Sequence, residues 1–165
     1  MMHRQRCVGW IVAAAGILIG CYRPPDQGTL VRGFFAHRSA FERLLDLAAA
    51  DRGYRRISRG RIPPIGMSAE RFMQYTELFR EAGIGNGLTR FAGYPRAVFL
   101  IVSSEVPIGG KGRSIGYAYS PEPLAPLADS VRMPALPFEI HRGGGHRATF
   151  RRLDGGWYLY CDADW

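Results

Sequence analysis

Five consecutive apolar residues, Val98-Phe99-Leu100-Ile101-Val102, constrain the fold of this chain more than any other feature. A β-strand sends successive side chains to opposite faces, and this run is apolar on both alternating sets. That is the pattern of a central strand covered above and below. Ser114 to Ser120 adds a second strand, in which Ile115, Tyr117 and Tyr119 alternate with small residues. One of its faces is bulky and the other can lie close under a neighbour. Gly109-Gly110-Lys111-Gly112 joins the two strands.

The C-terminus reads as a β-hairpin. Asp154-Gly155 favours a two-residue type I′ turn, which sets Leu153 opposite Gly156, Phe150 opposite Leu159 and Ala148 opposite Cys161. In that register Ala148, Phe150, Trp157, Leu159 and Cys161 share one face, and Thr149, Arg151, Tyr158 and Tyr160 share the other. A three-residue loop would mix these sets, so the segregated register is the expected one. Pro121 to Pro137 holds five prolines and little periodicity, and reads as an irregular surface excursion.

Helices precede the strands. Phe34, Arg38, Phe41, Leu44, Leu45 and Ala48 recur at three- and four-residue steps, the stripe of one amphipathic helix, with Gly53 placed to stop it. Ser68 as N-cap and Glu70 in the first turn announce a second helix. Its apolar face is Phe72, Tyr75, Leu78, Phe79 and Ala82, and Gly83 lies past its end. Between them, Tyr54 to Gly66 is a loop carrying Arg55, Arg56, Arg59 and Arg61. Helices first and strands afterwards is the order of an α+β domain: two N-terminal helices packed on one face of a four- or five-stranded antiparallel sheet that closes in the C-terminal β-hairpin.

The N-terminus has a different character. Arg4 and Arg6 precede the apolar stretch Val8 to Ile19, which is too short for the roughly 20 residues that cross a bilayer and suits a signal peptide. It ends in Leu18-Ile19-Gly20-Cys21. These four residues resemble the lipobox of bacterial lipoproteins at every position. The resemblance implies a diacylglycerol on the Cys21 sulfur, cleavage before Cys21, and an added acyl chain (commonly palmitate) on the freed amine. Several acyl chains anchor stably where one holds only marginally. Residues 1–20 are then a signal peptide, 21–32 a lipidated tether and 33–165 one domain. Tyr22 stands where an Asp would retain such a protein in the inner membrane of a Gram-negative cell, so the resemblance favours the outer membrane, on its periplasmic side.

The chain carries 22 Lys+Arg against 14 Asp+Glu, a net charge of +8. The signal segment takes only Arg4 and Arg6 of these, so the remainder stays basic, with Lys111 as its single lysine. Such a balance favours anionic surfaces and acidic partners. Nucleic acid is not an expected partner, because an exported protein rarely meets it. Past the signal segment the cysteines are Cys21 and Cys161. With Cys21 lipidated no disulfide can form within the chain, and Cys161, in an apolar strand, reads as a buried small hydrophobe.

Three further groupings bear on chemistry. His141 and His146 bracket Arg142-Gly143-Gly144-Gly145 and would share a metal ion if Glu139 or Asp162 joined them, although the spacing matches no standard zinc pattern. Lys111 and Arg113 in a glycine-rich turn offer backbone donors and cations to an anion, as do Arg55, Arg56, Arg59 and Arg61 in the basic loop. His37 with Glu42 or Asp46 would serve as a general base for Ser103, Ser104 or Ser120, but no nucleophile motif surrounds those serines. No cofactor is expected, since no cofactor motif is present.

The body is similar to short uncharacterised bacterial proteins that share a helix like His37-Arg38-Ser39-Ala40-Phe41-Glu42, a second like Tyr75 to Gly83, a segment ending Gly116-Tyr117-Ala118-Tyr119-Ser120-Pro121, and a terminal Trp157-Tyr158-Leu159-Tyr160. That resemblance implies no activity. The first functional reading is a membrane-anchored envelope lipoprotein acting as a binding or structural module. The second is a hydrolase or metal-dependent enzyme using His37, His141 and His146. A membrane-held immunity or inhibitor protein is a third reading compatible with the same residues. Clustered, part-buried histidines beside a carboxylate would favour the enzyme, and scattered exposed ones the module.

Overall fold

The computed structural model describes residues 24–60, 62–105, 112–131 and 146–164. They form an α+β domain of three helices and an open six-stranded antiparallel sheet. Helices α1 (Gln27–Ala36), α2 (Arg38–Ala50) and α3 (Ala69–Glu81) cover one face. The strands are β1 (Arg56–Ser58), β2 (Gly87–Thr89), β3 (Val98–Glu105), β4 (Arg113–Tyr119), β5 (His146–Arg152) and β6 (Trp157–Asp164), in the order β1-β2-β3-β4-β6-β5.

The helix expected at Ser68 forms as α3: the Ser68 side chain accepts a hydrogen bond from the Arg71 amide at 3.1 Å, and Gly83 follows the end with φ +69°. The single stripe expected from Phe34 to Ala48 is divided. His37 has φ −120° and ψ 25°, outside the helical region, and separates α1 from α2. A straight helix would set Phe34 and Phe41 about 10 Å apart along its axis. The break brings their ring centroids to 5.2 Å. Both rings then meet Trp157, and Tyr117 lies 4.7 Å edge-on from Phe41, so an aromatic cluster joins the N-terminal helices to the sheet.

Part of the segment expected as a tether over 21–32 is folded. Asp26 caps α1 by accepting from the Thr29 amide at 2.9 Å, Leu30 is buried, and the Tyr117 hydroxyl donates to the Leu30 carbonyl at 2.8 Å. The Gln27 side-chain oxygen accepts from the Val131 amide at 2.6 Å. Residues 26–32, expected outside the domain, are therefore part of the fold. The helical signal there is weak because Gly28 and Gly33 disfavour helix, and tertiary contacts hold α1 in place.

The central-strand reading of β3 stands. Leu100 packs under the helices, and Phe99 and Ile101 lie in a second core on the opposite face. That second core is covered by loops: Ala97 and Leu124 are buried in it, and Phe91 and Tyr94 pack against it. The expected surface excursion from Pro121 is thus built into the fold as far as it is described. Ala128 donates to the Phe150 carbonyl at 2.7 Å and Phe150 donates to the Pro126 carbonyl at 3.0 Å, which covers part of the outer edge of β5. The loop expected over Tyr54 to Gly66 likewise contains β1, whose Ile57 is buried.

The C-terminal hairpin forms in the other register. Phe150 pairs with Tyr160, Ala148 with Asp162 and Arg151 with Leu159. The loop is the three residues Asp154-Gly155-Gly156, closed by Leu153 donating to the Trp157 carbonyl at 2.8 Å, with φ +53° and +87° at the two glycines. Ala148, Phe150, Tyr158 and Tyr160 face the loop-covered core, and Trp157, Leu159 and Cys161 face the helices. The expected register assumes one wet face. Here both faces of β6 are buried, so no polar set needs segregating.

Candidate functional site

The arginines nominated from sequence occupy unlike environments. Arg55, Arg56 and Arg59 lie in and beside β1, which is the last strand of the sheet, and all three are exposed. Arg56 donates to the Ser58 hydroxyl at 3.1 Å and Arg59 to the Ile84 carbonyl at 3.2 Å, and no carboxylate pairs with any of the three among the described residues. Arg61 lies outside the described residues. The chain then runs through Ile62-Pro63-Pro64-Ile65 to α3, and both isoleucines stand in solvent, at 84% and 102% exposure. The two isoleucines are the part of this edge that charge patterning does not flag.

Arg113 does not belong with them. It opens β4, three strands away in the sheet order, and pairs with Glu105 through Nε at 2.8 Å and through Nη2, with side-chain exposures of 9% and 24%. Arg113 thus differs from the β1 arginines in being engaged within the fold, in a charge-assisted pair with a carboxylate. We expect Arg113→Met to cost about 2–3 kcal/mol in urea unfolding, because it leaves Glu105 half-buried and alone, whereas Arg56→Met changes stability by less than about 0.5 kcal/mol. Equal midpoints for the two variants would contradict this assignment. Lys111 lies outside the described residues.

Of the three nominated histidines, His37 is the one whose side chain is described. His37 is exposed at the junction of α1 and α2 and lines an open cleft of about 680 Å³ with Arg80, Glu81 and Tyr117. Glu42, its expected orienting partner, is taken by Arg38 at 2.9 Å, and Arg38 also pairs with Asp154 in the hairpin loop. Ser103 and Ser120 are buried, the Ser104 hydroxyl accepts from Asn86, and no hydrogen bond joins His37 to any of these serines. His141 and Glu139 lie outside the described residues, and His146 opens β5 opposite Asp164. No group of three or more His, Cys, Asp or Glu able to hold a metal ion occurs among the described residues. Cys161 is buried under the helices, where burial first and the neighbouring Asp162 second push its thiol up to about 11, so almost no thiolate exists near neutral pH.

A second basic feature has no counterpart in the sequence reading. The backbone amide of Arg90, just past β2, donates to the Arg55 carbonyl at 2.8 Å. Its side chain turns the other way, against the end of α2, where Nη2 donates to the Ala48 carbonyl at 2.6 Å. Arg52, Arg90 and Arg96 line one cleft there, of about 490 Å³. These residues come from three separated positions and meet only through the fold, so no local pattern marks them. Asp51, nearby in sequence, is engaged elsewhere: it accepts from Arg71 at 2.7 Å and from the Tyr75 hydroxyl at 2.9 Å.

No family model, curated protein or solved structure matches the chain.

Proposed function

We propose that the chain is an envelope lipoprotein: a folded head held to a membrane by acyl groups on Cys21, with the β1 edge as its contact surface for anionic headgroups or an acidic partner. One observation carries the surface assignment, the grouping of Arg55, Arg56 and Arg59, with no carboxylate partner among the described residues, beside two exposed isoleucines. Guanidinium groups pair with phosphate and carboxylate, and apolar side chains beside them enter an interface rather than stay in water. No described helix is long and apolar enough to cross a membrane. Anchoring therefore rests on the lipobox in this proposal. Four residues lie between Cys21 and the capping Asp26, so the head stays within about 17 Å of its anchor at full extension.

Mass spectrometry of the protein from its own membranes tests the anchor. The expected species begins at Cys21 and carries a diacylglyceryl group, and Cys21→Ala accumulates as an unacylated chain that keeps residues 1–20. A bare Cys21 thiol in native material overturns the proposal. For the surface, the unacylated chain is expected to bind vesicles containing anionic lipid. That binding should weaken as salt rises toward 1 M, where the screening length falls to about 3 Å, and should be lost when Arg55, Arg56 and Arg59 are all changed to Gln.

A further inference from the structure

The cleft between the end of α2 and the segment leading into β3 has the make-up of a ligand site. Its apolar wall is formed by Leu45, Pro95, Val98 and Tyr119, and its cations are Arg52, Arg90 and Arg96. Arg96 is paired with Glu122 at 2.7 Å. Arg52 and Arg90 have no ion pair with a carboxylate among the described residues. Asp46 is the one acidic residue in the lining. Arg90 is half-buried, its Nε lies out of reach of solvent without a hydrogen-bond partner, and its Nη2 is spent on the Ala48 carbonyl.

A half-buried guanidinium is costly unless a counter-charge compensates its lost hydration. Here burial lowers the pKa of Arg90, Tyr75 raises it in part, and Arg52 lowers it further. The helix end offsets part of this, since carbonyls of the last turn attract cations. It does not offset the two guanidinium groups that line this one cleft. An anion placed between them would, and the wall opposite offers apolar area to whatever carries that anion.

We propose that this cleft binds a small organic anion, a carboxylate on an apolar body, with its head between Arg52 and Arg90 and its body against Val98 and Tyr119. The volume, about 490 Å³, is within the range of small-molecule pockets. The site is distinct from the β1 contact surface and does not depend on acylation of Cys21.

Titration calorimetry of the full chain in non-ionic detergent tests it, with 3-phenylpropionate as probe and 3-phenylpropanol as its uncharged counterpart. Saturable binding of the acid is expected, with a dissociation constant on the order of 1 mM for a ligand of that size, and none of the alcohol. Arg90→Gln should weaken binding more than about tenfold, and Arg52→Gln by about three- to tenfold, the equivalent of one charge-assisted contact. Arg52 is exposed and holds nothing in the fold, so its variant keeps the test valid if Arg90→Gln does not fold. Arg56→Gln, on the β1 surface, should leave binding unchanged. The proposal is overturned if the acid shows no saturation, if the alcohol binds equally, if Arg52→Gln keeps the full affinity, or if inorganic phosphate binds while 3-phenylpropionate does not.

Discussion

Gly116→Ala is expected to destabilise the domain by more than about 3 kcal/mol, among the largest effects a single methyl group produces. Gly116 lies in β4, paired with Ile101 of β3 on one side and Tyr160 of β6 on the other. A Cβ at this position would sit 2.1 Å from the Leu100 carbonyl oxygen and 3.0 Å from the Val102 amide nitrogen, both backbone atoms. The ladder slips by one residue here, between Ile101 and Ser103, which leaves Val102 as the extra residue of a bulge facing Gly116. A side chain would have to open the β3–β4 ladder, and β4 cannot move aside because β6 holds its other edge. Folded domains are stable by only about 5–15 kcal/mol, so the variant is expected to lose a large part of its stability in urea. Gly53→Ala is the control, with nothing within 4 Å of its would-be Cβ. Matching midpoints for the two variants would refute the packing argument.

Phe41→Ala is expected to cost about 3–5 kcal/mol, the range for removing a fully buried ring. Phe41 has no solvent exposure and touches three other rings, those of Phe34, Tyr117 and Trp157. The loss should fall on how α1 and α2 are held, because Phe34 and Phe41 are the rings through which those helices reach Tyr117 and Trp157. Tryptophan emission is expected to shift to the red as Trp157 gains water. A loss below about 1 kcal/mol, with unshifted emission, would mean that the surrounding rings collapse into the space, which stiff aromatic groups rarely do.

The parts of this fold that were legible in the sequence are those whose signal is local. Ser68, Glu70 and the stripe from Phe72 to Leu78 are enough to define α3, and the doubly apolar run from Val98 to Val102 is enough to define a covered strand. Where a decision depends on what lies above a surface, sequence reasoning fails in an instructive way. Tyr158 and Tyr160 look like a wet face because their hydroxyls tolerate water, yet both are buried beneath loops that no periodicity announces. The hairpin register follows from that cover, and so does the three-residue loop. Strands β1 and β2 have three residues each, too few to display a period. In the site, the charge run at Arg55 to Arg59 is visible as composition, whereas the meeting of Arg52 with Arg90 exists only once β2 is laid beside β1.

The two borders of the sheet are guarded by different means. Strand β5 has residues 126–128 laid along part of its rim, so amides that would otherwise invite another chain are already occupied. Strand β1 has no such cover among the described residues, but it spans three residues and opens with an arginine. Brevity and like charge both discourage end-to-end zipping of sheets into fibres. On the proposed bilayer, where many heads share a thin layer and collide far more often than in bulk solution, that reticence would keep each copy separate and leave its cationic rim free for other molecules.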